Sequence, residues 1–201
     1  DPLWSRGLGD VYKRQGFQSG GLDINQPMLD KAAIRCPEAH FAVQDMCAFH
    51  LDEPVDLITC FLYSLHYSAT VERLAACIAR VHGALRPGGL FCFNTVDRTR
   101  IDNRLFAAHT VDVDEGRFTF SSGWHYSGAG ERQSLRLRIE KTAGDETLIW
   151  NDEHPMVAVS FAELEALLQP HFELHVLAHD YQRILPIGLG AGNALFACVK
   201  R

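Results

Sequence analysis

The strongest constraint on this chain is a hydrophobic period that switches between strand-like and helix-like, in one order, from residue 20 to residue 96. Asp56-Leu57-Ile58-Thr59-Cys60 is a continuous apolar run, the pattern of a strand covered on both faces. Thr70 through Leu85 then carries apolar residues at Val71, Leu74, Ala75, Ile78, Val81 and Leu85, which predicts an amphipathic helix. Arg86-Pro87-Gly88-Gly89 ends that helix, and Leu90-Phe91-Cys92-Phe93-Asn94 opens the next strand. Upstream, Gly20-Gly21-Leu22-Asp23-Ile24 reads as the end of a short buried strand closing on an acid. Pro27 suits a first helical position, and Met28, Leu29, Ala32, Ala33 and Cys36 form an apolar stripe at helical spacing. Phe41-Ala42-Val43-Gln44-Asp45-Met46 is a further strand ending in an acid. Strands alternating with helices at these lengths predict a parallel sheet with right-handed crossovers.

Ligands of open α/β sheets bind beyond the carboxyl ends of the strands. A carboxylate at Asp23 can accept both hydroxyl protons of a ribose there, or it can simply cap its own turn. Asp45 can accept from the exocyclic amine of a purine, with Met46 packed on the ring, or it can be a strand-end turn residue. Residues Phe61 to Tyr67 form a loop dense in aromatic and polar groups.

Four stretches, GLDINQPMLDKA at 21–32, FAVQDM at 41–46, VDLITC at 55–60 and LRPGGLFCFN at 85–94, together resemble the class I S-adenosylmethionine-dependent methyltransferases. The resemblance covers about residues 20–96 well and is weaker from about 155 onward. It implies a Rossmann-like, doubly wound α/β fold with a mostly parallel sheet and a reversed last strand. It further implies that Asp23 holds the cofactor ribose, with Ile24 and Met28 beside it. Asp45 and Met46 would hold the adenine, and Cys60, Phe61 and Leu62 would lie along the methionine end. The LRPGG turn is a structural marker of the family. The glycine-rich loop expected ahead of the first stretch is not found.

Residues 1–15, DPLWSRGLGDVYKRQ, show no period that connects to the strand–helix alternation beginning at residue 20. They read as a non-native or disordered leader, with Gly7 and Gly9 unable to rebuild the glycine loop. The methyltransferase domain is then expected over residues 16–201, lacking its first strand, in a chain that is an incomplete copy.

With 201 residues, 47% of them apolar, the chain can build one domain with a sizeable core. A net charge of −6 and no run of Lys and Arg argue against a nucleic-acid partner. Six cysteines lie scattered, several inside apolar runs, which predicts buried thiols and a cytoplasmic setting rather than disulfides. No window reaches the length of a membrane span. The histidines show no metal-ligand spacing. Oligomeric state is not readable.

After Asp97 the period changes. Arg98 to His109 reads as a short helix or an ordered loop. Arg117–Phe120, Ser134–Glu140 and Thr147–Trp150 read as strands of an antiparallel insertion within about residues 98–155. The resemblance implies that such an insertion covers the acceptor, with Tyr63 and Tyr67 of the loop and Trp124, His125, Tyr126 and His154 of the insertion as contacts. Ser160 to Glu163 is a capping box opening a helix to Leu168. Phe172–Leu177 and Ala194–Val199 read as closing strands.

The resulting expectation is methyl transfer from S-adenosylmethionine to the nitrogen or oxygen of a small molecule, with His66 as base where one is needed. A nicotinamide-dependent oxidoreductase with the same sheet type, or a non-catalytic truncated domain, are the rival readings. Asp45 and the RPGG turn favour the methyltransferase.

Overall fold

The structure, a computed structural model, describes residues 17–201, so the expected leader at residues 1–15 lies outside the described residues. The chain divides into two units, Asp1–Leu51 and Asp52–Arg201.

In the first unit, β1 (Gly20–Asp23) and β2 (His40–Val43) form a parallel pair, in register from Gly20 opposite His40 to Asp23 opposite Val43. Between them runs α1 (Gln26–Arg35). Asn25 caps this helix by accepting from the Met28 amide at 3.2 Å, and Pro27 sits in the first turn. The helix buries Leu29 and is followed by buried Cys36, while Met28 points outward. Gly20 is needed where it stands, because a Cβ there would lie 2.9 Å from the His40 carbonyl oxygen.

The second unit holds two four-stranded sheets. The first has the order β3 (Val55–Cys60), β4 (Leu85–Val96), β10 (Asn193–Lys200) and β9 (Phe172–Ala178). β3 and β4 are parallel, whereas β10 runs antiparallel to both β4 and β9. The expectation of a mostly parallel sheet is therefore corrected: hydrogen-bonded parallel pairs are confined to β1–β2 and β3–β4 among the described residues. β3 is also less covered than its apolar run predicts, with Leu57 39% exposed.

Helix α2 (Val71–Ala84) fills the crossover from β3 to β4. Thr70 caps its start by accepting from the Arg73 amide. From its predicted stripe it buries Leu74, Ile78 and Val81, and it also buries Cys77, which lies beside that stripe. At its other end the Lys200 ammonium donates to the carbonyls of His82 and Leu85, each at 2.7 Å, which suits the negative end of a helix dipole. Helix α3 (Phe161–Leu168) opens on the predicted capping box and buries Leu164 and Leu168. Phe91, Phe93, Phe172 and Phe196 form the aromatic part of the core, with Phe93 stacked on its cross-strand partner Phe196. All six cysteines are free thiols. Cys36, Cys47, Cys77 and Cys198 are buried, and burial pushes the Cys198 thiol up to about 12.

The second sheet is an antiparallel meander of β5 (Ala107–Val113), β6 (Gly116–Tyr126), β7 (Arg132–Ala143) and β8 (Glu146–Val157). The three strands read from sequence are present but much longer. The fourth, β5, replaces the end of the expected helix or loop. All seven of its residues are exposed, so no burial imposes an alternation that sequence could display.

Removing the Ser160 hydroxyl breaks the reciprocal cap of α3. Urea unfolding of Ser160→Ala is expected to show a loss of about 1 kcal/mol. Leu164→Ala, one turn further in and fully buried, should cost about 2–5 kcal/mol. A Leu164→Ala protein no less stable than Ser160→Ala would contradict this account of the core.

Candidate active site

In the first unit, the parallel register brings the ends of β1 and β2 to one edge. Asp23 closes β1, and Asp45 follows Val43 by two residues. Each carboxylate steadies its own turn. Asp23 Oδ1 accepts from the Asn25 amide at 2.8 Å, and Asp45 Oδ1 accepts from the Cys47 amide at 2.8 Å. The two strand ends are tied by the Gln44 amide donating to the Asp23 carbonyl. Ile24 and Met28 are exposed beside Asp23, and Met46 is half-buried beside Asp45.

In the second unit, the loop after β3 is shaped by two consecutive non-glycine residues in the left-handed region, Leu62 at φ 56° and Tyr63 at φ 60°. Such backbone costs roughly 1–3 kcal/mol per residue and persists where surroundings enforce it. Here the Tyr63 amide donates to Asn94 Oδ1 at 3.1 Å, from the end of β4. The Tyr63 ring meets Trp124 edge-on at 5.0 Å and stacks on His179 at 6.0 Å. Its hydroxyl donates to Asn193 Oδ1 at 3.4 Å. His179 in turn lies edge-on to Tyr181, which meets Phe61. Burial raises the Tyr63 pKa, with the Tyr181 hydroxyl adding to the effect, and burial lowers that of His179. Cys60 and Phe61 are half-buried, while the Leu62 side chain is 78% exposed.

The loop continues into a 3-10 turn, Ser64–Ser68, whose centre is His66. His66 is 2% exposed. Its Nδ1 lies 2.8 Å from the Val157 carbonyl, which can only accept, so Nδ1 carries the proton. Its Nε2 accepts from the Val96 amide at 3.2 Å and from the Thr95 hydroxyl at 2.9 Å. The Gln133 amide group lies 3.1 Å from Nδ1. Both ring nitrogens are thus engaged in the interior, and burial lowers the pKa to about 4. The expectation that His66 acts as a base is corrected on this ground: its lone pair is spent on a backbone amide. It holds the turn.

The insertion residues divide by the pleat, since successive side chains of a strand point to opposite faces. Trp124, Leu135 and His154 are paired across β6, β7 and β8 and form one row on one face. That row meets the 3-10 turn: Trp124 lies 5.7 Å from the His66 ring, and His154 lies 5.8 Å from the Tyr67 ring. His125, next to Trp124 in sequence, falls on the other face, near Glu153, whose carboxyl is held below its usual range first by hydrogen bonds from Ser134 and Arg136. It is not brought together with Trp124 and His154. Tyr126 serves the local fold, with its hydroxyl on the Gly130 carbonyl and the Arg98 guanidinium over its ring.

Tyr67 and His154, singled out separately from the sequence, share a hydrogen bond. The Tyr67 hydroxyl lies 2.5 Å from His154 Nδ1, and His154 Nε2 lies 3.1 Å from Asp152 Oδ2. Sequence reasoning missed Asp152, Asn94, Asn193, His179 and Tyr181. Asp152 has a readable signal in the Asp-x-His spacing, which puts both side chains on one face of a strand. The others come together only through the pairing of β4 with β10 and β10 with β9.

The depressed pKa of His66 makes a prediction with a definite sign. Unfolded His66 binds a proton below about 6.5, while folded His66 resists it down to about 4. The unfolded state therefore holds more protons in that window, and stability falls as pH drops through it, by roughly 3 kcal/mol in full. His66→Gln, which cannot titrate, is expected to be less stable at pH 7 but to lose less stability between pH 6.5 and 4. Urea unfolding at several pH values checks this, and parallel stability curves for the two proteins would sink it.

A family profile described as "Methyltransferase domain" matches residues 7–89, and so takes in residues 7–15, which the sequence pattern sets apart as a leader. A dTDP-4-amino-2,3,4,6-tetradeoxy-D-glucose N,N-dimethyltransferase from Saccharopolyspora spinosa is 34% identical over 79 residues, covering 39% of this chain and 32% of that protein. A dTDP-3-amino-3,4,6-trideoxy-alpha-D-glucopyranose N,N-dimethyltransferase from Streptomyces venezuelae is 26% identical over 121 residues, covering 54% of this chain and 51% of that protein. The chain thus spans about a third to a half of the length of these relatives. In structure, it is similar to an amino pentose methyltransferase from Micromonospora echinaspora solved with S-adenosylmethionine bound. That similarity has a TM-score of 0.79 at 18% identity, covering 97% of this chain and 81% of the other. Residues 7–89 match a methyltransferase-domain profile, and the chain shares the fold of S-adenosylmethionine-dependent methyltransferases.

Proposed function

We propose that the chain binds S-adenosylmethionine and transfers its methyl group to a small-molecule acceptor, with an amino group on a nucleotide-linked sugar as the acceptor class. The observation that carries the first half is the pair of acids, Asp23 and Asp45, at one carboxyl edge of the parallel strands β1 and β2. The donor set fits an adenosine. A carboxylate at Asp23 accepts from the ribose hydroxyls, and one at Asp45 accepts from the adenine amine, with Met46 offering an apolar surface to the base. When bound, the cofactor supplies a sulfonium methyl group, so the protein is left to align the acceptor and exclude water. The Tyr63, Trp124, His179 and Tyr181 cluster of the second unit provides rigid amphipathic surface of the kind that suits a sugar or a base. The acceptor class rests on two relatives that are named for N,N-dimethylation of dTDP-linked amino sugars. The net charge of −6 fits a small-molecule acceptor better than a nucleic-acid backbone. Among the described residues, no helix is long and apolar enough to cross a membrane.

Isothermal titration with S-adenosylmethionine tests the cofactor half. Losing the charge-assisted bonds at Asp23, worth roughly 1.5–3 kcal/mol, should weaken binding about tenfold or more in Asp23→Ala. Incubation with dTDP-4-amino sugars, followed by mass spectrometry for added methyl groups, tests the acceptor half. No heat of binding to the unaltered protein would sink the proposal, and unchanged affinity in Asp23→Ala would remove Asp23 from it.

A further inference from the structure

The contacts joining β8 to the 3-10 turn form a chain of three titratable groups: Asp152 Oδ2 to His154 Nε2 at 3.1 Å, and His154 Nδ1 to the Tyr67 hydroxyl at 2.5 Å. Its direction is set by chemistry. An ionised carboxylate only accepts, so Nε2 carries the imidazole proton and Nδ1 offers its lone pair to the Tyr67 hydroxyl. The phenolic oxygen is then left with lone pairs of its own, on a ring that is 46% exposed. The chain sits at the edge of the Trp124–Leu135–His154 row, whose other end packs on Tyr63.

We propose that Tyr67, His154 and Asp152 form a proton relay that removes the ammonium proton of an amine acceptor, Tyr67 being the catalytic residue and His154 and Asp152 acting through it. The inference rests on the methyl-transfer reading. An aliphatic amine is mostly protonated at neutral pH and has no lone pair to offer a methyl group. In the relay, the N–H bond of the ammonium breaks and its proton forms a new O–H bond on Tyr67. The former hydroxyl proton of Tyr67 passes to His154 Nδ1, and the imidazolium so formed is balanced by the Asp152 carboxylate. The electron pair of the broken N–H bond stays on nitrogen and is the pair that attacks the sulfonium methyl carbon. The sulfur–carbon bonding pair leaves on sulfur, giving a neutral thioether. The relay discharges its proton to solvent, which half-exposed His154 and exposed Asp152 can reach.

Burial and the Asp152 charge both raise the Tyr67 pKa, so the phenol stays neutral and acts as a conduit rather than as a standing phenolate. The groups facing His154 are few. Asp152 lies on its own strand, and Tyr67 with buried, neutral His66 lies on the turn. From β7, Leu135 stands opposite, flanked on the same face by Gln133 and Leu137. Arg136 and Glu153 pair with each other on the far face.

The test uses the full chain with S-adenosylmethionine and a dTDP-4-amino sugar, measuring kcat and kcat/KM from pH 5 to 9. Tyr67→Phe is expected to lower kcat about 100-fold or more, the usual worth of a positioned general acid–base group, with S-adenosylmethionine affinity unchanged. Asp152→Asn should lower the plateau of kcat while leaving S-adenosylmethionine affinity unchanged, because the imidazolium formed in the relay loses its counter-charge. His154→Gln should abolish the acid limb of the pH profile. A merely structural role would change stability or KM and leave the limb where it stands. The relay is overturned if Tyr67→Phe retains kcat, or if 15N NMR of the unaltered protein shows the neutral His154 imidazole carrying its proton on Nδ1 rather than on Nε2. Methyl transfer by the unaltered protein with no loss in these variants would reject the relay alone. Absence of S-adenosylmethionine binding to the unaltered protein would reject the methyl-transfer reading, and the relay with it.

Discussion

His66 gives its Nδ1 proton to the Val157 carbonyl and takes the Val96 amide proton on Nε2, with the Thr95 hydroxyl as a third partner. One ring thereby joins the end of β4, the end of β8 and the 3-10 turn after β3. These are the exits of two separate sheets and the loop that carries Tyr63 and Tyr67. A neutral imidazole is well suited to this, because it is the one side chain that offers a donor and an acceptor on opposite edges of a rigid ring. Its burial holds it in that form. A charged ring would forfeit its hydration, and burial is what lowers the pKa to about 4, against the Val157 carbonyl, which favours the protonated ring.

Once the turn is fixed, the meander can present a face to it. The register across β6, β7 and β8 stacks Trp124, Leu135 and His154 in one row. A slip of one residue in any strand would send that strand's member of the row to the far face, where Arg136 and Glu153 now pair. The length of the strands protects the register. β7 and β8 pair continuously from Arg132 opposite Val157 to Ala143 opposite Glu146, so a slip would break many bonds at once. The tight turn at Gly144, with φ +59°, anchors the far end of that ladder.

How much of this is legible in the chain depends on where burial writes a period. The stripe of α2 and the capping box of α3 are complete in the sequence, because each helix buries a single face and starts on a side-chain cap. The alternation of β7 shows its half-exposed character. β5 leaves no trace, since neither of its faces is buried. The alternation of the first unit shows in the sequence as two strand ends, and parallel pairing of consecutive strands puts Asp23 and Asp45 at one edge. The role of His66 is hidden for a different reason. Whether a loop histidine faces solvent or a backbone amide depends on partners 29 to 91 residues away. Local sequence holds no record of them. The cluster of Asn94, Asn193 and His179 around Tyr63 is hidden likewise, being assembled by the antiparallel placement of β10.

His66 and His154 show how one residue type is given two different tasks within one unit. His66 lies in the 3-10 turn and His154 against it, and both have each ring nitrogen in a hydrogen bond. What separates them is the chemistry of the partners. His66 is bound by main-chain groups, a hydroxyl and the Gln133 amide, none of which changes charge near neutral pH, in an interior that penalises an imidazolium. His154 is bound by a carboxylate that welcomes an imidazolium and by a phenol that can exchange a proton, at a position open to solvent. A proton arriving at His66 would break the joint between the sheets, while one arriving at His154 would strengthen its pairing with Asp152. Proton traffic is therefore compatible with the fold at His154 and incompatible with it at His66, although position in the chain would favour His66.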